Sequence, residues 1–162
     1  MVADVVMRKQ LIELLHGENA HMSFAAAVAD FPPEAINLVP PNITYSFWHL
    51  LEHLRITQRD ILDFIRNPHY VWLKWPNDYW PPTNAQADKT AWDATVTHFL
   101  EDSKQLEGLI LDSSNDLTAD LPHAPGYTLL REIVTVSGHN AYHIGELAIL
   151  RQITNTWPAG HT

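Results

Sequence analysis

Two histidines four residues apart, His139 and His143, lie in the stretch SGHNAYHIGELAIL (residues 137–150) beside Ile144, Leu147 and Leu150. Apolar residues at that spacing predict a helix with one face turned to a core. On a wheel of about 100° per residue with His139 at zero, His143 falls at about 40° and Glu146 at about −20°. Glu132 and Leu150 fall at about 20°, Val136 at about 60° and Leu147 at about 80°. Polar and apolar groups therefore share one arc. The two imidazoles stand about 6 Å apart along the axis, a separation that lets both converge on one cation. Such a pair also arises by chance in a chain with ten histidines. Histidines hydrogen-bonded within a core, or facing solvent together, remain alternatives to a metal site.

A third histidine with the same placement occurs in WHLLEHLRITQRDIL (residues 48–62). With His53 at zero, Phe64 falls at about 20°, Thr57 at about 40°, Leu50 at about 60° and Asp60 at about −20°. His53 thus sits well inside the apolar arc. His49 falls at about −40°, towards the edge shared with Glu52 and Ile56, and is the weaker inward candidate. Three imidazoles turned into a core need partners, because an unpaired buried polar group costs free energy. A divalent metal bound by His53, His139 and His143 would supply one and leave a coordination position open. Glu146 or Glu132 could then accept the second ring N–H of a ligand histidine and fix its tautomer. The other histidines, His16, His21, His69, His98, His123 and His161, lie on ends, loops or faces without a partner at ligand spacing and are expected at the surface. Glu52 is expected to be exposed. Asp60 is balanced between a buried partner and a rim charge.

The elements that must position these groups are helical. Periodicity in DVVMRKQLIELLHG predicts a first helix that Gly17 interrupts and that resumes through GENAHMSFAAAVADFPP until Pro32 and Pro33 stop it. The second long helix runs from an N-cap at Ser46 to Asn67, before Pro68. A third spans about Gln86 to Asp112, with Trp92, Val96, Phe99, Leu106 and Leu109 or Ile110 as candidate core. The last starts near Thr128 and ends near Ile153. Between the second and third helices, HYVWLKWPNDYWPPTNA reads as an ordered loop in which Trp72, Trp75, Tyr79 and Trp80 are expected to pack as a lid over the bundle end, with a binding platform as the alternative. No strand pattern stands out. The expected fold is all-α, a four-helix bundle with long crossover loops, built as one domain over residues 1–162.

Composition narrows the function classes. The chain has 162 residues, 46% of them hydrophobic, enough for a core. It has no cysteine, so disulfides and thiolate ligands are excluded and any metal site must use His, Asp or Glu. A net charge of −9 offers no basic stripe for phosphates, which argues against a nucleic-acid partner. No apolar run is long enough to cross a membrane, and MVADVVMRKQ lacks the apolar core of a signal peptide. A cytoplasmic, soluble protein is expected. Serine-nucleophile, P-loop and dinucleotide fingerprints are absent from the sequence.

Taken together, WHLLEHLRITQRDIL, then WPNDYWP, then GYTLLREIVTVSGHNAYHIGELAILRQ resembles the DinB-like or YfiT-like family of metalloenzymes, over nearly the whole chain and in the same order. The resemblance implies a four-helix bundle, usually a homodimer, whose divalent ion is held by one histidine of the second helix and an HxxxH pair on the last. By position these are His53, His139 and His143. Relatives of this type often carry an acidic residue just before the first histidine of the pair, where this chain has Gly138. The family is similar in fold to thiol-dependent enzymes, among them mycothiol-dependent maleylpyruvate isomerases and bacillithiol S-transferases. The resemblance therefore implies zinc or nickel as cofactor and a small-molecule substrate, with a low-molecular-weight thiol as a candidate and transfer or hydrolysis as the reaction. Two other readings stand beside it. In one, His49, Asp60 or Glu146 completes a closed, non-catalytic metal site; in the other, the histidines are merely packed in a dimeric interaction module.

Overall fold

Three of the long helices begin at a residue whose side chain caps them. The computed structural model describes residues 2–17 and 19–160. The first helix, α1 (Val2–His16), ends at Gly17, whose φ of +78° is left-handed. A Cβ there would lie 2.4 Å from the His21 ring, so only glycine fits the turn. The helix was expected to resume directly and continue to Pro32. Instead α2 is a single short segment, Phe24–Val28, capped by Ser23. Asp30, at φ +50°, turns the chain away before the prolines, and a 3₁₀ turn follows at Pro33–Ala35.

Helix α3 (Phe47–Arg66) starts at the expected cap: Ser46 Oγ accepts from His49 N, and His49 Nδ1 faces Ser46 N in return. Asp88 caps α4 (Lys89–Leu111), and Thr128 caps α5 (Leu129–Ile153). The expected boundaries of these three helices hold to within three residues. The strand expectation does not. Asp120–Leu121 (β1) pairs antiparallel with Ala124–Thr128 (β2) in a small hairpin that leads into α5. Strands of two and five residues are too short to display alternation in the sequence.

The protein is mainly helical. The four long helices pack in the cyclic order α1, α4, α3, α5, so that α3 lies against both α4 and α5. Two apolar clusters fill the interior. One gathers Phe47, Leu50 and Leu54 of α3 with Trp92, Phe99, Leu147 and the phenylalanines of the α2 region. The other gathers Leu62 and Ile65 with Leu11, Leu106, Ile110, Ile133 and Val136. Full burial of each such side chain contributes about 1.5–3 kcal/mol. Between the clusters runs a polar layer, where Asn140 donates to Gln58 and Gln58 donates to the Phe99 carbonyl, both side chains being buried. His139 and His143 lie on the stretch of α5 that separates the two clusters, and His53 faces them from α3, among the residues of the first cluster. No helix among the described residues is long and apolar enough to cross a membrane.

Candidate metal centre

α3 and α5 pack side by side, and their inward faces bring the three histidines together. One ring nitrogen from each of His53, His139 and His143 lies within 4.8 Å of those of the other two. His53 Nε2 and His139 Nε2 are 3.1 Å apart. His53 is 2% exposed, while His139 and His143 are half-buried.

Hydrogen bonds on the far side of two rings determine where their protons sit. His53 Nδ1 lies 2.8 Å from the carbonyl of Tyr79, which can only accept, so Nδ1 carries the hydrogen and a neutral His53 has its lone pair on Nε2. His143 Nδ1 donates to Glu146 Oε2 at 2.6 Å, leaving Nε2 of the neutral ring free in the same way. Among the described residues, His139 Nδ1 is buried without a hydrogen-bond partner. Burial, followed by the neighbouring His143 and His53, pushes the His139 pKa down to about 4. Burial likewise lowers that of His53. Both effects favour the neutral imidazole, the form that binds metal.

These observations fit a metal. Nitrogens about 2.1 Å from one ion stand roughly 3–3.5 Å apart in ordinary coordination geometries, close to the separation already present between His53 and His139. An all-imidazole set suits zinc, nickel, copper or iron. It contains no thiolate, as a chain without cysteine requires.

The surrounding groups sort into holders of the histidines and groups engaged elsewhere. Glu146 accepts from His143 with one oxygen and from the Tyr45 hydroxyl with the other. Burial works to raise its pKa, but the hydrogen bonds from His143 and Tyr45 outweigh it and hold the carboxyl below its ordinary range. Of the two glutamates considered, Glu146 therefore takes the role; Glu132 is buried but pairs with Arg131. His49 is more buried than its position on the wheel suggested, yet both ring nitrogens are taken, by Ser46 Oγ and by the Pro82 carbonyl. Asp60 accepts from the hydroxyls of Tyr70 and Tyr79. Glu52 is half-buried rather than exposed, and it pairs with Arg55 and accepts from Thr95.

The lid expectation is met by half of the aromatic loop. Trp80 stacks on His53 with ring centroids 3.9 Å apart and planes 5° from parallel, and Tyr79 supplies the carbonyl that orients it. Trp72 and Trp75 remain 63% and 70% exposed. Among the histidines expected at the surface, His69 and His98 are exposed, whereas His16, His21 and His123 are half-buried; His161 lies outside the described residues. His123 is drawn in by the Phe64 carbonyl, 2.7 Å from its Nε2. Tyr45 is the group that the sequence did not announce, because its only signal would be a position 101 residues from its partner Glu146.

Beside the histidines opens a cavity of about 610 Å³, lined by Thr44, Tyr45, His49, Trp80, Thr83 and the prolines around them. Tyr45 and Trp80 belong to both places, one through Glu146 and the other through the His53 ring. Among known proteins, no curated protein and no solved structure matches the chain. The family model of the DinB superfamily matches residues 16–147, a span that includes α3, the aromatic loop and all three histidines. With four-fifths of its length matched, and in the region that builds the histidine cluster, the chain belongs to the DinB superfamily.

Proposed function

We propose that the chain is a divalent-metal-dependent enzyme, a single-domain four-helix bundle in which His53, His139 and His143 hold one zinc or nickel ion and a small thiol or water is activated for transfer or hydrolysis. The observation that carries this reading is the count of ligands. Three imidazoles converge, and among the described residues no fourth histidine or carboxylate joins them. Structural zinc sites are commonly closed by four protein ligands, whereas catalytic sites keep a position open. His49 and Asp60 are held by other partners, and Glu146 is spent on His143 and Tyr45. The closed, non-catalytic reading therefore lacks its fourth ligand.

When bound, an ion of this kind lowers the pKa of a thiol or water at the open position, so that the nucleophile exists at neutral pH. The protein's part is to position and to shield. The Tyr79 carbonyl and Glu146 fix the tautomers of His53 and His143. Burial, followed by the hydrogen bond to Glu146, raises the Tyr45 pKa and keeps its phenol a donor, which stops that carboxylate from swinging away. Trp80 covers one face of His53 and excludes water from it. Because the chain has no cysteine, the thiol of a transfer reaction comes from a small molecule.

A cytoplasmic homodimer is the assembly that goes with this reading. Val134, Tyr142, Ile149 and Ile153 are exposed and share an arc of about 100° on α5, an apolar stripe suited to a second copy.

The test is elemental analysis of untagged protein beside the His53→Ala, His139→Ala and His143→Ala variants. Near one ion per chain in the wild type, lost in all three variants, is expected, together with turnover of thiol and electrophile pairs that EDTA abolishes. No zinc or nickel retained after incubation with either would sink the proposal. Tight binding without any metal-dependent turnover would leave the non-catalytic metal-binding bundle in its place.

A further inference from the structure

The cavity beside the histidines has walls of an unusual chemical uniformity. Two aromatic rings, Tyr45 and Trp80, pack against each other with centroids 5.0 Å apart and planes tilted by 39°, and Pro76, Pro81 and Pro82 continue the surface. Among the described residues, no lysine, arginine, aspartate or glutamate lines it. Its polar groups are the neutral side chains of Thr44, Asn77 and Thr83, with His49, whose two ring nitrogens are engaged by Ser46 and Pro82. About 610 Å³ is the size of a site for a small organic molecule.

From this we infer that the cavity selects an uncharged molecule with a flat, apolar body, seated against Trp80 and Tyr45 and oriented by hydrogen bonds to threonine and asparagine. The inference deepens the proposed enzyme reading and rests on it only for the claim that this molecule is the substrate. The physical ground is desolvation. A carboxylate or phosphate entering these walls would shed water with no cation to replace it, and burying an unpaired charge is strongly unfavourable. The chain's net charge of −9 adds repulsion for anions. An ammonium group would find aromatic faces, but no carboxylate lines the cavity. A neutral ring loses little water and gains contact with the aromatic and proline surface. Because Trp80 also lies flat on His53, the bound ring sits one side chain away from the histidine cluster.

The inference is tested by calorimetric titration of the full-length, EDTA-treated chain with three ligands of equal ring size: 2-naphthylmethanol, 2-naphthoate and 2-naphthylmethylammonium. The alcohol is expected to bind at least about tenfold more tightly than either ion. Trp80→Leu should weaken the alcohol by about tenfold. Thr83→Lys, at the exposed rim, should narrow or reverse the gap between alcohol and naphthoate without disturbing the core. Equal or tighter binding of naphthoate by the wild type, no binding of the alcohol up to millimolar concentration, or an unchanged preference in Thr83→Lys would each overturn the inference. Metal content of the same wild-type sample before EDTA treatment reports separately on the ion. Failure of the metal site leaves the order of affinities untouched, and failure of that order leaves the ion in place.

Discussion

Glu146 does more for the histidine cluster than its single charge suggests, because its two oxygens tie His143 to Tyr45 across two elements. Glu146→Gln keeps the shape but replaces a charged acceptor with a neutral one, and its amide has to turn an N–H towards one of two donors. We expect metal affinity to fall about 10–100-fold, with the fold retained, as read by chelator competition and circular dichroism. The histidines also set a pH dependence in protein stripped of metal. Burial, followed by the neighbouring His143 and His53, pushes the His139 pKa in the folded chain down to about 4, from its ordinary value near 6.5. Between those values the unfolded chain takes up the proton and the folded chain does not. The contribution of His139 to stability is therefore fully present above about pH 6.5 and is lost as pH falls towards 4. Urea midpoints of EDTA-treated protein at pH 7 and pH 5 check the sign, and a midpoint that does not fall at pH 5 would contradict it.

At the scale of elements, the loop of residues 68–88 matters through one carboxylate. Asp60, on α3, accepts from both Tyr70 and Tyr79, and the backbone of Tyr79 in turn orients His53. Burial, followed by the hydrogen bond to Asp60, raises the pKa of both phenols, that of Tyr79 to about 12, so they remain donors at every physiological pH. Asp60→Ala leaves two half-buried hydroxyls without an acceptor. We expect a loss of about 1–3 kcal/mol in denaturant unfolding and faster proteolysis within the loop. Metal affinity should fall as well, because the carbonyl behind His53 loses its anchor. A variant with unchanged protease sensitivity would show that the loop is held by its aromatic packing instead.

The whole molecule depends on a buried charge on α5, eight residues beyond His143. Arg151 is 0% exposed and donates to the carbonyls of Ala27, Ala29, Asp30 and Thr156, joining α5 to the α2 region and to the C-terminal turn. Its guanidinium also lies 3.7 Å from the centre of the Trp157 ring. Arg151→Met fills similar space but strands several carbonyls. A cost of about 3 kcal/mol or more is expected in chemical denaturation. The effect should be global, appearing equally with and without metal, because the site and this junction share no side chain. Destabilisation of only the α2 region, with the rest of the fold unmoved, would mean that the junction is local.

The sequence by itself determined the helical class, three of the four long helices and the inward turn of His53, His139 and His143. Helical periodicity, capping residues and proline stops act over a few residues, and that range is written locally in the chain. Ser46, Asp88 and Thr128 begin their helices through their own side chains. Local signals misled where context overrode them: the helix expected through residues 17–33 shrank to Phe24–Val28, and a short hairpin formed before α5. Only the tertiary structure decided which groups surround the histidines. That His49 is buried but taken by Pro82, and that Trp80 and Tyr45 join the cluster to a cavity, depend on contacts between distant segments, whereas Glu146 meets His143 within α5, three residues along the same helix. Periodicity gives the direction of a side chain from its own helix axis; it carries no information about what another element places in front of it.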